Sequence, residues 1–136
     1  MERVVNILLV EDDVLDAIDI RRTLDKLKIL YHLNVASNGE TAIEFLNNSE
    51  NATPDIVLID INMPRMNGLE LLSIIRRNPQ WKDLKSFIIT TSDEKPDKEA
   101  AVALNVSGYI VKPLKLNNAK SIDSLNLMVD LVNLKK

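Results

Sequence analysis

The chain has 136 residues, 46% apolar and 27% charged, which is one domain's worth of polypeptide, long enough to bury roughly two-thirds of its extended surface in a single core. No cysteine is present, which excludes disulfides, thiolate nucleophiles and cysteine-built metal sites, and the single histidine, His32, excludes multi-histidine metal centres. Seventeen basic against twenty acidic residues leave a net charge of −3, and with 4% aromatics there is neither a basic stripe nor a set of stacking platforms, so no nucleic-acid partner is expected.

The three glycines, Gly39, Gly68 and Gly108, are too dispersed for a phosphate-cradling loop or a dinucleotide fingerprint. The apolar run from Ile7 to Val10 is too short for a signal peptide or a membrane span, and the expectation is a soluble, cytoplasmic domain with no membrane partner.

Val4 to Val10 is aliphatic and β-branched, ends abruptly in Glu11-Asp12-Asp13, and predicts a strand buried on both faces. Val14, Ala17, Ile18, Arg21, Leu24 and Leu27 then recur near helical spacing, with Asp13 placed to cap the helix. A second strand around Leu33 to Ala36 meets Ser37-Asn38-Gly39, and Ala42, Ile43, Phe45 and Leu46 mark a second helix that the polar stretch from Asn47 to Thr53 breaks. Ile56 to Ile59 is a third buried run closed by Asp60, and a loop with Pro64 and Gly68 leads to Leu69, Leu71, Leu72, Ile74 and Ile75 of a third helix.

Phe87 to Ile89 forms the fourth strand, closing at Thr90-Thr91-Ser92, and Ala100 to Leu104 lies in a short helix whose early Pro96 is tolerated in a first turn. Tyr109 to Val111 is the fifth strand, ending at Lys112-Pro113. Ile122, Leu125, Met128, Val129, Leu131 and Val132 mark a terminal helix with a wide apolar face. Five strand–helix units predict one α/β domain over residues 1–136, a doubly wound sheet that is mostly or wholly parallel, with five helices on its two faces. The chain stops with that helix, so no output domain is expected after it.

In open parallel sheets, ligands bind outside the carboxyl ends of the strands where the strand order reverses. The residues standing there are Glu11 and Asp12, Asp60, Thr90 and Lys112. A flavodoxin-like order 2-1-3-4-5 would bring Asp12 and Asp60 into one crevice with Thr90 and Lys112 at its rim. Two carboxylates about 4 Å apart repel by roughly 4 kcal/mol at an effective dielectric of about 20, which a divalent cation would relieve. Oxygen-only ligands favour Mg²⁺ or Mn²⁺ over zinc. A lysine and a hydroxyl beside such an ion can neutralise and orient a transferring phosphoryl group, and an aspartate can accept it. Phosphoryl transfer to Asp60 is the chemistry this pattern predicts.

Four strings, Leu8-Leu9-Val10-Glu11-Asp12-Asp13, Asp60-Ile61-Asn62-Met63-Pro64-Arg65-Met66-Asn67-Gly68, Thr90-Thr91-Ser92 and Gly108-Tyr109-Ile110-Val111-Lys112-Pro113, in this order and spacing, resemble the signature of response regulator receiver domains. The resemblance covers the chain from Val4 to the last helix. It implies that Asp60 accepts phosphoryl from a phosphohistidine on a sensor histidine kinase or a histidine phosphotransfer protein, and that Glu11, Asp12, Asp60 and the backbone carbonyl of Asn62 hold Mg²⁺. It further implies that Thr90 and Lys112 contact the phosphoryl oxygens, that Tyr109 swings inward when Thr90 moves, and that the Lys112-Pro113 bond is cis. A downstream protein would then read the face formed by the fourth helix, fifth strand and fifth helix. Among receivers the chain is similar to stand-alone ones of the chemotaxis and phytochrome-associated kinds, the long link from Asn78 to Lys85 leaning toward the latter. By the same resemblance Asn62 and Ser92 flank the phosphoryl group and set its hydrolysis rate; as neither is bulky or charged, moderate to fast loss is expected.

Each of these residues alone has a plainer reading: Asp12 or Asp13 as a helix cap, Thr90 and Thr91 as strand residues, Lys112 as a solvated turn lysine, Tyr109 as packing. Their joint placement at successive strand ends is what packing alone does not require. Asp60 is the hardest to explain away, since a carboxylate closing a buried strand needs a partner. The competing function is a Mg²⁺-dependent phosphohydrolase of the haloacid-dehalogenase type, which expects its nucleophile after the first strand and a second aspartate two residues on, where this chain has Asn62. A flavodoxin-like cofactor binder would need a Ser/Thr/Gly loop after the first strand, where acids stand instead. His32 reads as a surface group, and Met63 and Met66 as packing. On the terminal helix, Leu127, Leu131 and Leu134 exceed what one side is expected to bury, which predicts a homodimer or partner surface there.

Overall fold

The computed structural model describes residues 3–114 and 122–134. Ten elements alternate along the chain: β1 (Val5–Val10), α1 (Val14–Asp25), β2 (Tyr31–Ala36), α2 (Gly39–Asn47), β3 (Ile56–Ile59), α3 (Gly68–Arg77), β4 (Lys85–Thr90), α4 (Lys95–Ala103), β5 (Gly108–Val111) and α5 (Ile122–Leu134). The strands form one parallel sheet in the order β2-β1-β3-β4-β5, with Val10 opposite both Ala36 and Ile59 and Thr90 opposite Val111. The flavodoxin-like topology expected from the strand–helix alternation is the one observed.

Side chains along a strand alternate between faces, and the core divides accordingly. Val5, Ile7, Leu9, Ile56, Leu58, Phe87 and Ile89 point to the layer that holds Ile20 and Leu24 of α1 and Leu127 and Leu131 of α5. Leu8, Val10, Val57, Ile59 and Ile88 point to the other layer, filled by Ala42 of α2, Leu71, Leu72 and Ile75 of α3, and Ala101 of α4. Having helices on both sides is why β3 is apolar without a break: all four of its residues are fully buried.

The helices start where short polar side chains stand. The Asp13 carboxylate accepts from the backbone N–H of Leu15 and Asp16 at 2.9 and 3.1 Å, Asn38 accepts from Thr41 at 2.8 Å, and Asn67 forms a reciprocal capping box with Glu70. Arg76, in the last turn of α3, donates to the carbonyls of Leu104, Lys82, Leu84 and Asn105 at 2.7 to 3.2 Å, fastening the α3–β4 link and the end of α4 together.

Three expectations change. Leu127 and Leu131 are 0% exposed and Leu134 packs against the same cluster, so these three residues of α5 are taken up by the core. The predicted surplus at these three positions does not exist, and with it goes the argument for self-association through them. On α1 the buried residues are Ile20 and Leu24, whereas Val14, Leu15 and Ile18 are exposed. The link from Asn78 is not bare loop, because Trp81 is buried in the second layer and β4 begins at Lys85, two residues earlier than its apolar run suggests. Leu125 and the start of α5 at Ile122 belong to a helix as expected, but their side chains lie outside the described set.

Candidate functional site

Parallel strands present their carboxyl ends at one edge, and the register brings particular residues together there. Val10 pairs with Ile59, so Glu11 and Asp60 leave the sheet side by side; the Asp60 N–H still bonds Val10 O at 3.0 Å and the Glu11 N–H bonds Ala36 O at 2.9 Å. One carboxylate oxygen each from Glu11, Asp12 and Asp60 lies within 4.8 Å of the other two. Glu11 and Asp60 are buried, Asp60 to 5% exposure, whereas Asp12 is exposed. The crevice therefore opens on Asp12 and ends on Asp60.

Lys112 enters from the neighbouring strand end, where its N–H bonds Thr90 O at 2.8 Å. Its Nζ donates to Glu11 Oε1 at 2.5 Å, Asp16 Oδ2 at 2.8 Å and Asp60 Oδ2 at 3.3 Å. The other Asp60 oxygen accepts from the Asn62 N–H at 3.3 Å, which holds the Asn62 backbone against the cluster.

Burial dominates the electrostatics. It pushes the Glu11 carboxyl up to about 7 against the opposing bond from Lys112, with Asp60 raising it further. For Lys112 burial pulls the ammonium down, but the bonds to Asp16 and Glu11 and the charge of Asp60 outweigh it, leaving the group above the ordinary lysine range. One ammonium thus faces more than one buried carboxylate. Three hard oxygen donors around an opening, only partly neutralised, fit a divalent cation of the Mg²⁺ or Mn²⁺ kind.

Thr90, 0% exposed at the end of β4, has its hydroxyl oxygen accepting from the Ser92 N–H at 3.3 Å. Tyr109 is half-buried against the layer that holds Ile88 and Ala101, and its hydroxyl donates to Ser92 O at 2.9 Å. Ser92 Oγ in turn donates to Asp97 Oδ2 at 2.6 Å in the first turn of α4. A single chain of bonds therefore runs from Thr90 through Ser92 to both Tyr109 and α4. The Lys112-Pro113 peptide bond is cis. His32 is exposed on β2, away from the crevice, while Met63 and Met66 pack in the second layer.

Two residues that touch the site are missed by the sequence reading. Asp16, the third partner of Lys112, lies in the first turn of α1 and carries no sequence signal, since its partner is 96 residues away. Gly68 is more than a loop glycine: a Cβ built there would meet the Asp60 carbonyl oxygen at 2.2 Å. Only glycine lets the start of α3 lie against the backbone that carries Asp60. Around the mouth, Val14 is 72% exposed and lines a groove of about 360 Å³ with Glu11, Asp12, Ile18, Arg21 and Val35.

A family model described as the response regulator receiver domain matches residues 7–122. The response regulator Rcp1 of Synechocystis sp. is 33% identical over 116 residues, covering 82% of this chain and 79% of Rcp1. The structure of the Mn²⁺-bound form of Rcp1 aligns with a TM-score of 0.74 at 29% identity, covering 92% of this chain and 88% of that one. A two-component response regulator from Legionella pneumophila aligns at 0.79 with 32% identity, covering 95% and 98%. The phosphorylated cyanobacterial phytochrome response regulator RcpA aligns at 0.74 with 26% identity, covering 97% and 91%.

Proposed function

Since the chain belongs to the response regulator receiver family of two-component signalling, we propose that Asp60 is its phosphoacceptor, served by a phosphohistidine on a sensor histidine kinase or histidine phosphotransfer protein. The observation that carries this reading is the pairing of a buried Asp60 with Lys112 at 3.3 Å inside a three-carboxylate cluster at the end of β3. An Asp60 carboxylate oxygen forms the new P–O bond as the P–N bond to the donor imidazole breaks, the electron pair remaining on the imidazole nitrogen. Glu11, Asp12, Asp60 and the Asn62 carbonyl would hold Mg²⁺, which supplies charge neutralisation for the phosphoryl oxygens. Lys112 supplies the second positive charge, and Thr90 the hydroxyl that meets a phosphoryl oxygen.

The chain of bonds Thr90–Ser92–Tyr109 offers a route outward. Drawing Thr90 toward a phosphoryl oxygen disturbs Ser92, and with it the Tyr109 hydroxyl and Asp97 of α4. The face of α4, β5 and α5, where Val102, Val111 and Val129 are exposed, is the surface a downstream protein or a second copy of the chain would read. The exposed apolar pair Val14 and Ile18, which lines the same groove as Glu11 and Asp12, suits a phosphodonor protein covering the mouth during transfer.

The haloacid-dehalogenase alternative is not favoured: the buried aspartate closes β3 rather than the first strand, and Asn62 occupies the place of the second aspartate. Incubation with acetyl phosphate and Mg²⁺, followed by intact mass, separates the two. A receiver gains the mass of one phosphoryl group, and Asp60→Asn abolishes the gain. Sustained turnover of phosphomonoesters with no phosphorylated protein would overturn the proposal.

A further inference from the structure

We infer that Asp16 is a positioning residue for phosphoryl transfer, holding the Lys112 ammonium in place while the other two carboxylates bonded to it are engaged with the cation and the phosphoryl group. The inference rests on the phosphoacceptor reading of Asp60.

Lys112 Nζ has three N–H donors and three carboxylate partners, but the partners are not equivalent. Glu11 and Asp60 belong to the acid cluster that a divalent cation would occupy, and Asp16 does not. Any oxygen turned toward a cation loses much of its hold on the ammonium, and Asp60 changes chemically when it is phosphorylated. Asp16 is the partner whose chemistry stays constant through the reaction. With one donor kept on Asp16, two remain free to turn toward phosphoryl oxygens.

The anchor is itself well fixed. Asp16 sits in the first turn of α1, and its backbone N–H is bonded to the Asp13 cap at 3.1 Å. The Lys112 side chain is far less exposed than that of Asp16, 10% against 36%, so the ammonium is held from the solvent side by a residue of α1. A lysine otherwise keeps substantial rotamer freedom, and losing that hold spreads its charge over positions that do not serve the transfer. An acidic residue in a first turn also favours the helix dipole. That role accounts for an acid at this place, but not for its 2.8 Å contact with Lys112, 96 residues away in sequence.

The test uses the full chain, acetyl phosphate and Mg²⁺, with the rate of phosphorylation followed by intact mass. Asp16→Ala is expected to slow the wild-type rate by about tenfold, the scale of one charge-assisted hydrogen bond. Asp16→Asn, which keeps an acceptor oxygen and the size of the side chain, is expected to fall between the two. In a Lys112→Ala background the same Asp16→Ala change is expected to have no effect, because Asp16 acts through the lysine. Mg²⁺ affinity, measured by calorimetric titration, should move much less than the rate does. Equal rates in wild type and both Asp16 variants would overturn the inference while leaving Asp60 as acceptor, and so would an undiminished tenfold loss in the Lys112→Ala background. A wild-type chain that takes up no phosphoryl group would overturn the phosphoacceptor reading and this inference together.

Discussion

Replacing Glu11 with glutamine removes an ionisable group from the floor of the acid cluster while keeping its size. In the metal-free protein the Glu11 carboxyl is raised from 4.5 to about 7, chiefly by burial. Because its folded value lies above its unfolded one, the stability it contributes is fully present below pH 4.5 and is lost as pH rises through about 7. At about 1.4 kcal/mol per pH unit the whole interval amounts to about 3 kcal/mol, of which about 2 kcal/mol falls between pH 5.5 and pH 8. Lys112, raised above its ordinary 10.5, stays charged in folded and unfolded forms throughout that window and adds no slope. Urea unfolding in EDTA should therefore show the wild type losing about 2 kcal/mol relative to Glu11→Gln on going from pH 5.5 to pH 8. Adding Mg²⁺ at pH 8 should restore stability to the wild type far more than to the variant, since the ionised carboxylate then has a cation. Parallel pH profiles for the two proteins in EDTA would refute the assignment of Glu11 as a buried acid held against its charge.

Gly68→Ala should both destabilise the fold by about 1–3 kcal/mol and slow phosphorylation, because the new methyl group must displace the Asp60 backbone; thermal unfolding and acetyl phosphate kinetics on one sample check both. Ile18→Glu, exposed beside the groove at the mouth, should leave the acetyl phosphate rate within about twofold but cut transfer from a phosphohistidine protein by about tenfold or more, the scale of losing one interface anchor. Leu131→Ala should cost about 2–5 kcal/mol of stability as a core truncation and leave the solution mass unchanged, as sedimentation would show.

Strands buried on both faces are legible because their apolar runs are continuous. β3 coincides with the Ile56 to Ile59 run, and Asp60 stands out as the charge that closes it. Helix facing is harder to read. Of the stripe Val14, Ala17, Ile18, Arg21, Leu24 and Leu27, Leu24 is buried and Ala17 and Leu27 pack against the same cluster, yet the structure also buries Ile20, outside the stripe, and leaves Val14 and Ile18 exposed. Composition alone cannot distinguish an apolar residue that packs from one that waits beside a crevice. On α5 the error has the opposite sign, since the sheet layer over β1, β3, β4 and β5 takes up Leu127 and Leu131 completely.

The strand-end residues Glu11, Asp12, Asp60, Thr90 and Lys112 are legible because parallel topology sends every carboxyl end to one edge. Asp16 is not, because its contact with Lys112 depends on how α1 lies against the end of β5, which is a tertiary fact. The close approach of Gly68 to Asp60 is hidden for the same reason: a loop glycine shows its purpose only when the backbone it touches is known.

The central claim, that Asp60 carries the phosphoryl group, is tested most directly by trapping. The full chain is treated with acetyl phosphate and Mg²⁺, reduced with borohydride, which converts an aspartyl phosphate to homoserine, and mapped by peptide mass spectrometry. The account predicts homoserine at position 60, with neither homoserine at Asp12 nor the corresponding longer amino alcohol at Glu11. Homoserine at Asp12, or no reduced residue despite a gain of phosphoryl mass, would contradict it.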